Sequence, residues 1–134
     1  MSLTSLPQAL KQVLEALSFV LQDENAQWIL QDHQQARSEW ALSFVGAQGQ
    51  IQNVVVDRTF LDDQGVRWII DFKTGLHEGG NLEDYLATQK EKYQSQLERY
   101  ATIIHKMEGK PIKLALYFPF EKGFCQWDWQ HSEA

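Results

Sequence analysis

The stretch between residues 54 and 75 constrains this chain more than any other. Val54-Val55-Val56-Asp57-Arg58 and Val66-Arg67-Trp68-Ile69-Ile70-Asp71-Phe72-Lys73-Thr74-Gly75 are rich in β-branched and aromatic residues, and they flank Asp62-Asp63-Gln64-Gly65. Such side chains fit a pleated, half-buried surface, and the intervening residues are turn formers, so the pattern predicts a β-hairpin. A loop of Asp63-Gln64-Gly65, with Gly65 in left-handed backbone, pairs position 62 with 66 and brings Asp57 opposite Asp71. Side chains alternate faces along a strand, so Lys73 shares a face with Asp71, while Ile70 and Phe72 take the other. Two carboxylates and one ammonium are expected together on one side of a sheet.

That arrangement calls for a cause. Charges in apolar strands are unfavourable unless they are paired, hydrogen-bonded or bound to metal, and like charges opposite one another repel. One use of the residues is a structural ion-pair cluster in which Lys73 neutralises an aspartate, but this leaves the second carboxylate uncompensated. A hard divalent cation resolves the conflict, because Mg²⁺ takes carboxylate oxygens, keeps several waters and accepts substrate phosphate as a further ligand. Lys73 then lies where it can orient or deprotonate a water, or stabilise charge developing on phosphate.

The spacing resembles the PD-(D/E)XK motif of RecB-like nucleases. In that family an aspartate stands in a "G-x-I-D-R" type strand, matched by Val55-Val56-Asp57-Arg58 with Asn53 where glycine is more usual. A second aspartate opens "D-[YF]-K-[TS]", matched by Asp71-Phe72-Lys73-Thr74. A following helix carries "Y-x-x-Q-L-x-x-Y", matched in type and order by Tyr93-Gln94-Ser95-Gln96-Leu97-Glu98-Arg99-Tyr100. The resemblance covers residues from about 37 to 129 and implies a restriction-endonuclease-like α/β fold, a mixed sheet of about five strands flanked by helices. It implies Mg²⁺ or Mn²⁺ held by Asp57, Asp71 and the Phe72 carbonyl, with Lys73 and Gln96 as catalytic groups and Gln96 and Tyr100 positioning the phosphate. Family members often carry a glutamate in the first strand, which makes Glu39 a supporting ligand or water-positioning group, the alternative being a solvated surface residue. Many also have a metal-binding histidine upstream, for which His33 is the sole candidate before Glu39, in an expected polar connector.

At 134 residues the chain suffices for one core, here read as a helical segment over 1–36 and a nuclease core over 37–129. The single Cys125 excludes an internal disulfide, fits a reducing, cytoplasmic compartment, and excludes a four-cysteine iron–sulfur cluster. No apolar run reaches membrane-spanning length, and no phosphate-cradling glycine loop with its lysine occurs, so neither a membrane nor a nucleotide site is expected. The net charge of −6 runs against a simple nucleic-acid-binding module. The segment 27–129 resembles the C-terminal nuclease of a UvrD/RecB-type helicase, of the exonuclease V β-subunit group, and the resemblance implies helicase domains that deliver single-stranded DNA ends during double-strand break repair. A free-standing nuclease and a catalytically inactive nuclease-fold module that binds DNA or protein are the alternatives.

Along the rest of the chain, helical spacing predicts an amphipathic helix over 7–21 and a short helix over 23–30. A strand is expected over 37–45, with Trp40, Leu42 and Phe44 alternating against Glu39, Ala41 and Ser43. After a flexible loop over 76–81, a long helix running to Met107 places Tyr93, Gln96, Leu97, Tyr100, Ile103, Ile104 and Met107 inward, until Gly109-Lys110-Pro111 stops it. A doubly buried strand over 112–118 and an edge strand over 124–129 follow, with Trp127 and Trp129 packing on one face. His105, Lys106 and His131 are expected at the solvated surface.

Overall fold

The computed structural model describes residues 23–73, 80–121 and 123–130. The helix expected over 7–21, residues 74–79 of the loop region, and His131 lie outside the described residues. In chain order the elements are α1 (Glu24–Ile29), β1 (Gln34–Val45), β2 (Ile51–Leu61), β3 (Arg67–Phe72), α2 (Leu82–Glu108), β4 (Ile112–Phe118), a 3-10 turn (Pro119–Glu121) and β5 (Gly123–Asp128). The strands form one sheet in the order β1-β2-β3-β4-β5, antiparallel except for the parallel pair β3–β4. Parallel neighbours need a crossover between them, and α2 supplies it. The fold is therefore α/β, a mixed five-stranded sheet with helices packed against it, as the sequence predicts. Among the described residues no helix is long and apolar enough to cross a membrane.

Each helix is punctuated by its own sequence. Asp23 accepts the Asn25 N–H at 3.0 Å and caps α1. Asn81 accepts the Asp84 N–H at 2.8 Å, Glu83 and Asp84 occupy the first turn of α2, and His105 and Lys106 the last. Gly109 closes α2 in left-handed backbone, φ 68°, its N–H meeting the His105 carbonyl at 2.8 Å.

Two apolar cores lie on the two faces of the sheet. On the α2 side Ile69, Leu114 and Leu116 pack with Leu97, Tyr100, Ala101 and Ile104. On the α1 side Phe60, Trp68, Ile70, Ala115 and Tyr117 pack with Ala26 and Ile29. β3 and β4 feed both cores alternately, which is why nearly all of their side chains are buried. Trp127 and Trp129 join the α2-side core as expected, and β5 is an edge strand. His105 corrects the sequence reading: it is half-buried, its ring 5.2 Å from that of Trp129.

The α2 stripe is narrower than expected. Leu97, Tyr100, Ala101 and Ile104 are buried, whereas Gln96 is exposed and Met107 is 58% exposed. The buried stripe advances through 97, 101, 104 and 108, so Gln96 and Met107 fall on its flank. Its last position is Glu108, which pairs with buried Arg67 at 2.7 Å.

The β1–β2 ribbon changes face halfway along. Trp40, Leu42, Phe44, Val54 and Val56 belong to the α2 side, but Ala36 and Phe60 belong to the α1 side. Unbroken alternation would put residues 36 and 40, and residues 56 and 60, on a common face. Both strands therefore switch between these positions. In β1 the switch coincides with Glu39, whose φ is 54°, in a region rarely used by residues other than glycine. Glu39 falls between the pairs Ser38↔Arg58 and Trp40↔Val56, hence opposite Asp57, where β2 switches.

Candidate metal and phosphate site

The hairpin has the predicted register, from Leu61↔Arg67 to Arg58↔Ile70. Its loop closes through Asp62 N–H to the Val66 carbonyl and Gly65 N–H to the Asp62 carbonyl, each 3.0 Å, with Gly65 at φ 76°. Beyond Arg58↔Ile70 the main-chain ladder gives way: the Phe72 N–H is accepted by Asp57 Oδ2 at 2.9 Å. The Asp57 carboxylate thus takes the place of a backbone carbonyl where the strands part, and it meets the Asp71 carboxyl. Burial, a hydrogen bond with Asp71 and the Asp71 charge raise the Asp57 pKa to about 8, against the opposing pull of the Phe72 N–H and the Lys73 ammonium. Burial and the adjoining carboxylate thus favour the protonated form of Asp57.

Asp71 is only 7% exposed. Lys73 Nζ lies 2.8 Å from Asp71 Oδ2, but that buried oxygen has no well-aligned hydrogen bond. The contact is ionic and leaves the lone pairs of Asp71 Oδ2 unfilled. Lys73 also sits 3.7 Å above the Tyr93 ring, so α2 holds the ammonium by a cation–π contact. Tyr100, about two turns further along, receives the Gln96 amide at 2.8 Å. Burial raises the Tyr100 pKa, the Gln96 hydrogen bond lowers it, and the Asp71 and Asp57 charges raise it further, which places the phenol near the carboxylate pair.

Asp57, Asp71, Lys73 and Tyr100 therefore converge, and Gln96 reaches the group through Tyr100 from an exposed position. Gln96 was expected as a buried amide; the correction makes it a donor at the solvent side of the site. Glu39 is a neighbour of Asp57 in the register, yet it is not among the groups that shift Asp57, and its buried Oε1 has no hydrogen-bond partner. His33 lies on the opposite side of the sheet. Its Nε2 meets the Trp28 carbonyl at 2.5 Å and its ring stacks on Phe60 at 3.9 Å, so it belongs to an aromatic cluster under α1 and not to a solvated connector.

The donors suit a hard cation. Two carboxylates that repel one another, one with unfilled oxygen capacity, are what a divalent ion relieves. In extended backbone the N–H and C=O of a residue point to the same side, so the Phe72 carbonyl faces the Asp57 side along with its N–H. Among the described residues no group of three or more His, Cys, Asp or Glu side chains is placed to hold a metal. The protein's share would be two carboxylates and one carbonyl, which fits Mg²⁺, an ion that keeps several waters.

Two residues that hold the site were not singled out from sequence. Arg58 is buried on the α1 side and donates to the Ile29 carbonyl at 3.0 Å, the Gln31 carbonyl at 2.7 Å and Ser38 Oγ at 3.0 Å. It anchors the strand immediately after Asp57 and fixes where the face switch falls; an arginine inside an apolar strand was the available signal. Tyr93 was read as core, although its spacing from Gln96 and Tyr100 on one helix side already placed the three together. Comparison of the chain with protein-family models finds no match, and comparison with curated proteins finds none.

Proposed function

We propose that this chain is a Mg²⁺- or Mn²⁺-dependent deoxyribonuclease domain of the RecB-like PD-(D/E)XK type, working in a helicase–nuclease that processes DNA double-strand breaks in the cytoplasm. The observation that carries the reading is the buried Asp71 carboxylate meeting half-buried Asp57, whose pKa is raised to about 8, beside an ammonium held by α2. Asp57, Asp71 and the Phe72 carbonyl would hold the ion. When bound, it supplies Lewis acidity toward a phosphoryl oxygen and a lowered pKa for its water.

The chain's own residues supply the rest. Lys73 Nζ, kept within reach of Asp71, orients the attacking water or donates to the phosphoryl oxygens as charge builds on them. The Tyr100 hydroxyl and the Gln96 amide donate to the phosphate from the α2 side and fix its orientation. The product on this reading carries a 5′-phosphate. A second reading, an inactive nuclease-fold module that binds DNA or protein, draws on the Lys73–Asp71 ion pair, which already neutralises one carboxylate, and on the net charge of −6.

End-labelled single-stranded DNA incubated with the chain and Mg²⁺ separates the two. The nuclease reading expects cleavage that EDTA abolishes and that Asp71→Ala or Lys73→Ala removes with the circular dichroism spectrum intact. Cleavage indifferent to either substitution overturns it. Absence of cleavage, combined with no Mg²⁺-dependent rise in thermal stability, leaves the module.

A further inference from the structure

A second site lies at the far end of the ribbon, independent of whether the carboxylate pair is catalytic. β1 is an edge of the sheet, with β2 as its one strand neighbour among the described residues. The turn after it closes through the Gly46 N–H and the Gln50 carbonyl at 2.7 Å, so positions 46 and 50 form a hydrogen-bonded pair. Such pairs alternate along an antiparallel ladder. The main-chain groups of Phe44 and Leu42, opposite Gln52 and Val54, therefore point into the sheet, and those of Ala41, Ser43 and Val45 point outward.

The side chains complete the site. Leu42 and Phe44 turn toward α2 and form one wall of a groove of about 580 Å³, whose other wall is built by Ile103 and Met107. Val45 at its end is 70% exposed and Met107 is 58% exposed. Two cations, Arg99 and Lys106, line the groove, and no acidic residue does. This stands out in a chain of net charge −6. Exposed edges are ordinarily blunted by lysine, proline or a bulge, and between Trp40 and Val45 the strand has no lysine or proline and an unbroken register.

We propose that this edge and groove form a peptide-docking site that accepts an extended acidic–apolar segment of a partner protein as an added sixth strand. The outward N–H and C=O groups of Ala41, Ser43 and Val45 pair with the peptide backbone, which phosphates and bases do not match in alternation. Every second peptide side chain drops between Phe44 and Met107, so those positions are apolar. Acidic residues two positions before or after them, on the same face of the added strand, meet Arg99 and Lys106. The outward stretch accommodates a strand of about five residues.

The test uses the full chain, ¹⁵N-labelled, titrated with an acetylated, amidated heptapeptide of glutamate, threonine, valine, threonine, valine, threonine and glutamate in that order, so that the valines and glutamates share one face. Shifts are expected at the Ala41, Ser43 and Val45 amides, and the same peptide with lysine for glutamate binds at least tenfold more weakly. Ser43→Pro removes one outward N–H at a position where an edge strand tolerates proline, and weakens binding at least tenfold with the rest of the spectrum preserved. Combined Arg99→Glu and Lys106→Glu, both at exposed positions, does the same through charge. The proposal is overturned if the acidic peptide leaves the β1 amides unmoved, or if Ser43→Pro binds as well as the native chain. It also fails if sedimentation shows a dimer that Ser43→Pro dissociates, if these amides are already protected from hydrogen exchange without peptide, or if oligothymidylate shifts them instead.

Discussion

The two faces of the sheet each bury an acidic residue near a tyrosine, and they treat it oppositely. On the α1 face Asp23 is fully employed: one oxygen caps α1 and the other accepts the Tyr117 hydroxyl, from a residue far along the chain. Burial and the neighbouring carboxylate drive the Tyr117 pKa up, so the phenol stays a donor and the pair is satisfied. On the α2 face burial and the adjoining Asp71 raise the Asp57 pKa to about 8, and the buried Asp71 Oδ2 has no well-aligned hydrogen bond despite a lysine at 2.8 Å. A buried polar group with all its partners rigidifies a fold, whereas one left short points to a missing ligand. The first carboxylate serves structure; the second pair is the one that the proposed function assigns to a metal ion.

The comparison can be broken most severely through activity. Asp71→Ala and Lys73→Ala are each expected to lower Mg²⁺-dependent cleavage of single-stranded DNA by roughly a hundredfold or more, equivalent to about 3 kcal/mol of barrier, with folding retained. Tyr117→Phe, on the other face, should leave cleavage within about twofold of the native rate. If the two faces respond alike, the division between them is wrong.

Next in size is the pH dependence. The folded-state pKa of Asp57 is raised from 3.8 to about 8, so folding favours its protonated form. The corresponding stability is fully present below the unfolded value and is lost as pH rises toward the folded one. Thermal melts between pH 4 and 8 should show a falling Tm, which Asp57→Asn flattens. On the proposed reading Mg²⁺ takes the ionised pair, so its addition should raise Tm more at pH 8 than at pH 5. A Tm that climbs through this interval, or Mg²⁺ stabilisation that is greater at pH 5, would count against the pair.

Smaller effects sharpen the contrast. Tyr117→Phe leaves Asp23 Oδ2 buried without its donor and should destabilise by about 1–3 kcal/mol, read by urea denaturation at constant slope. The least disruptive change is Gln96→Ala. Its side chain is exposed and donates to Tyr100, so stability should move by less than about 0.5 kcal/mol while cleavage falls severalfold.

Much of this was legible in the residues. The composition of the two strands and the Asp63-Gln64-Gly65 loop determined the hairpin and its register, because loop length and a left-handed glycine leave little freedom. Asp71 and Lys73 share a face by simple alternation, and they make the ion pair. The helix caps at Asp23, Asn81 and Gly109 likewise follow from local chemistry.

Alternation failed at Glu39 and Asp57, where the ribbon passes from one core to the other. A period of two presumes an unbroken strand. Only the packing of α1 on one face and α2 on the other, with Arg58 tied to the Ile29 and Gln31 carbonyls, decides where the break falls. The same is true of His33 and Gln96: one is drawn into an aromatic cluster, and the other is left exposed on the flank of the buried helix stripe. Local sequence specified which strands, turns and caps form, since those depend on neighbours within a few residues. The face switch at Glu39 and Asp57, and the free edge of β1 beside its groove, depend on contacts between distant segments, and tertiary structure alone settled them.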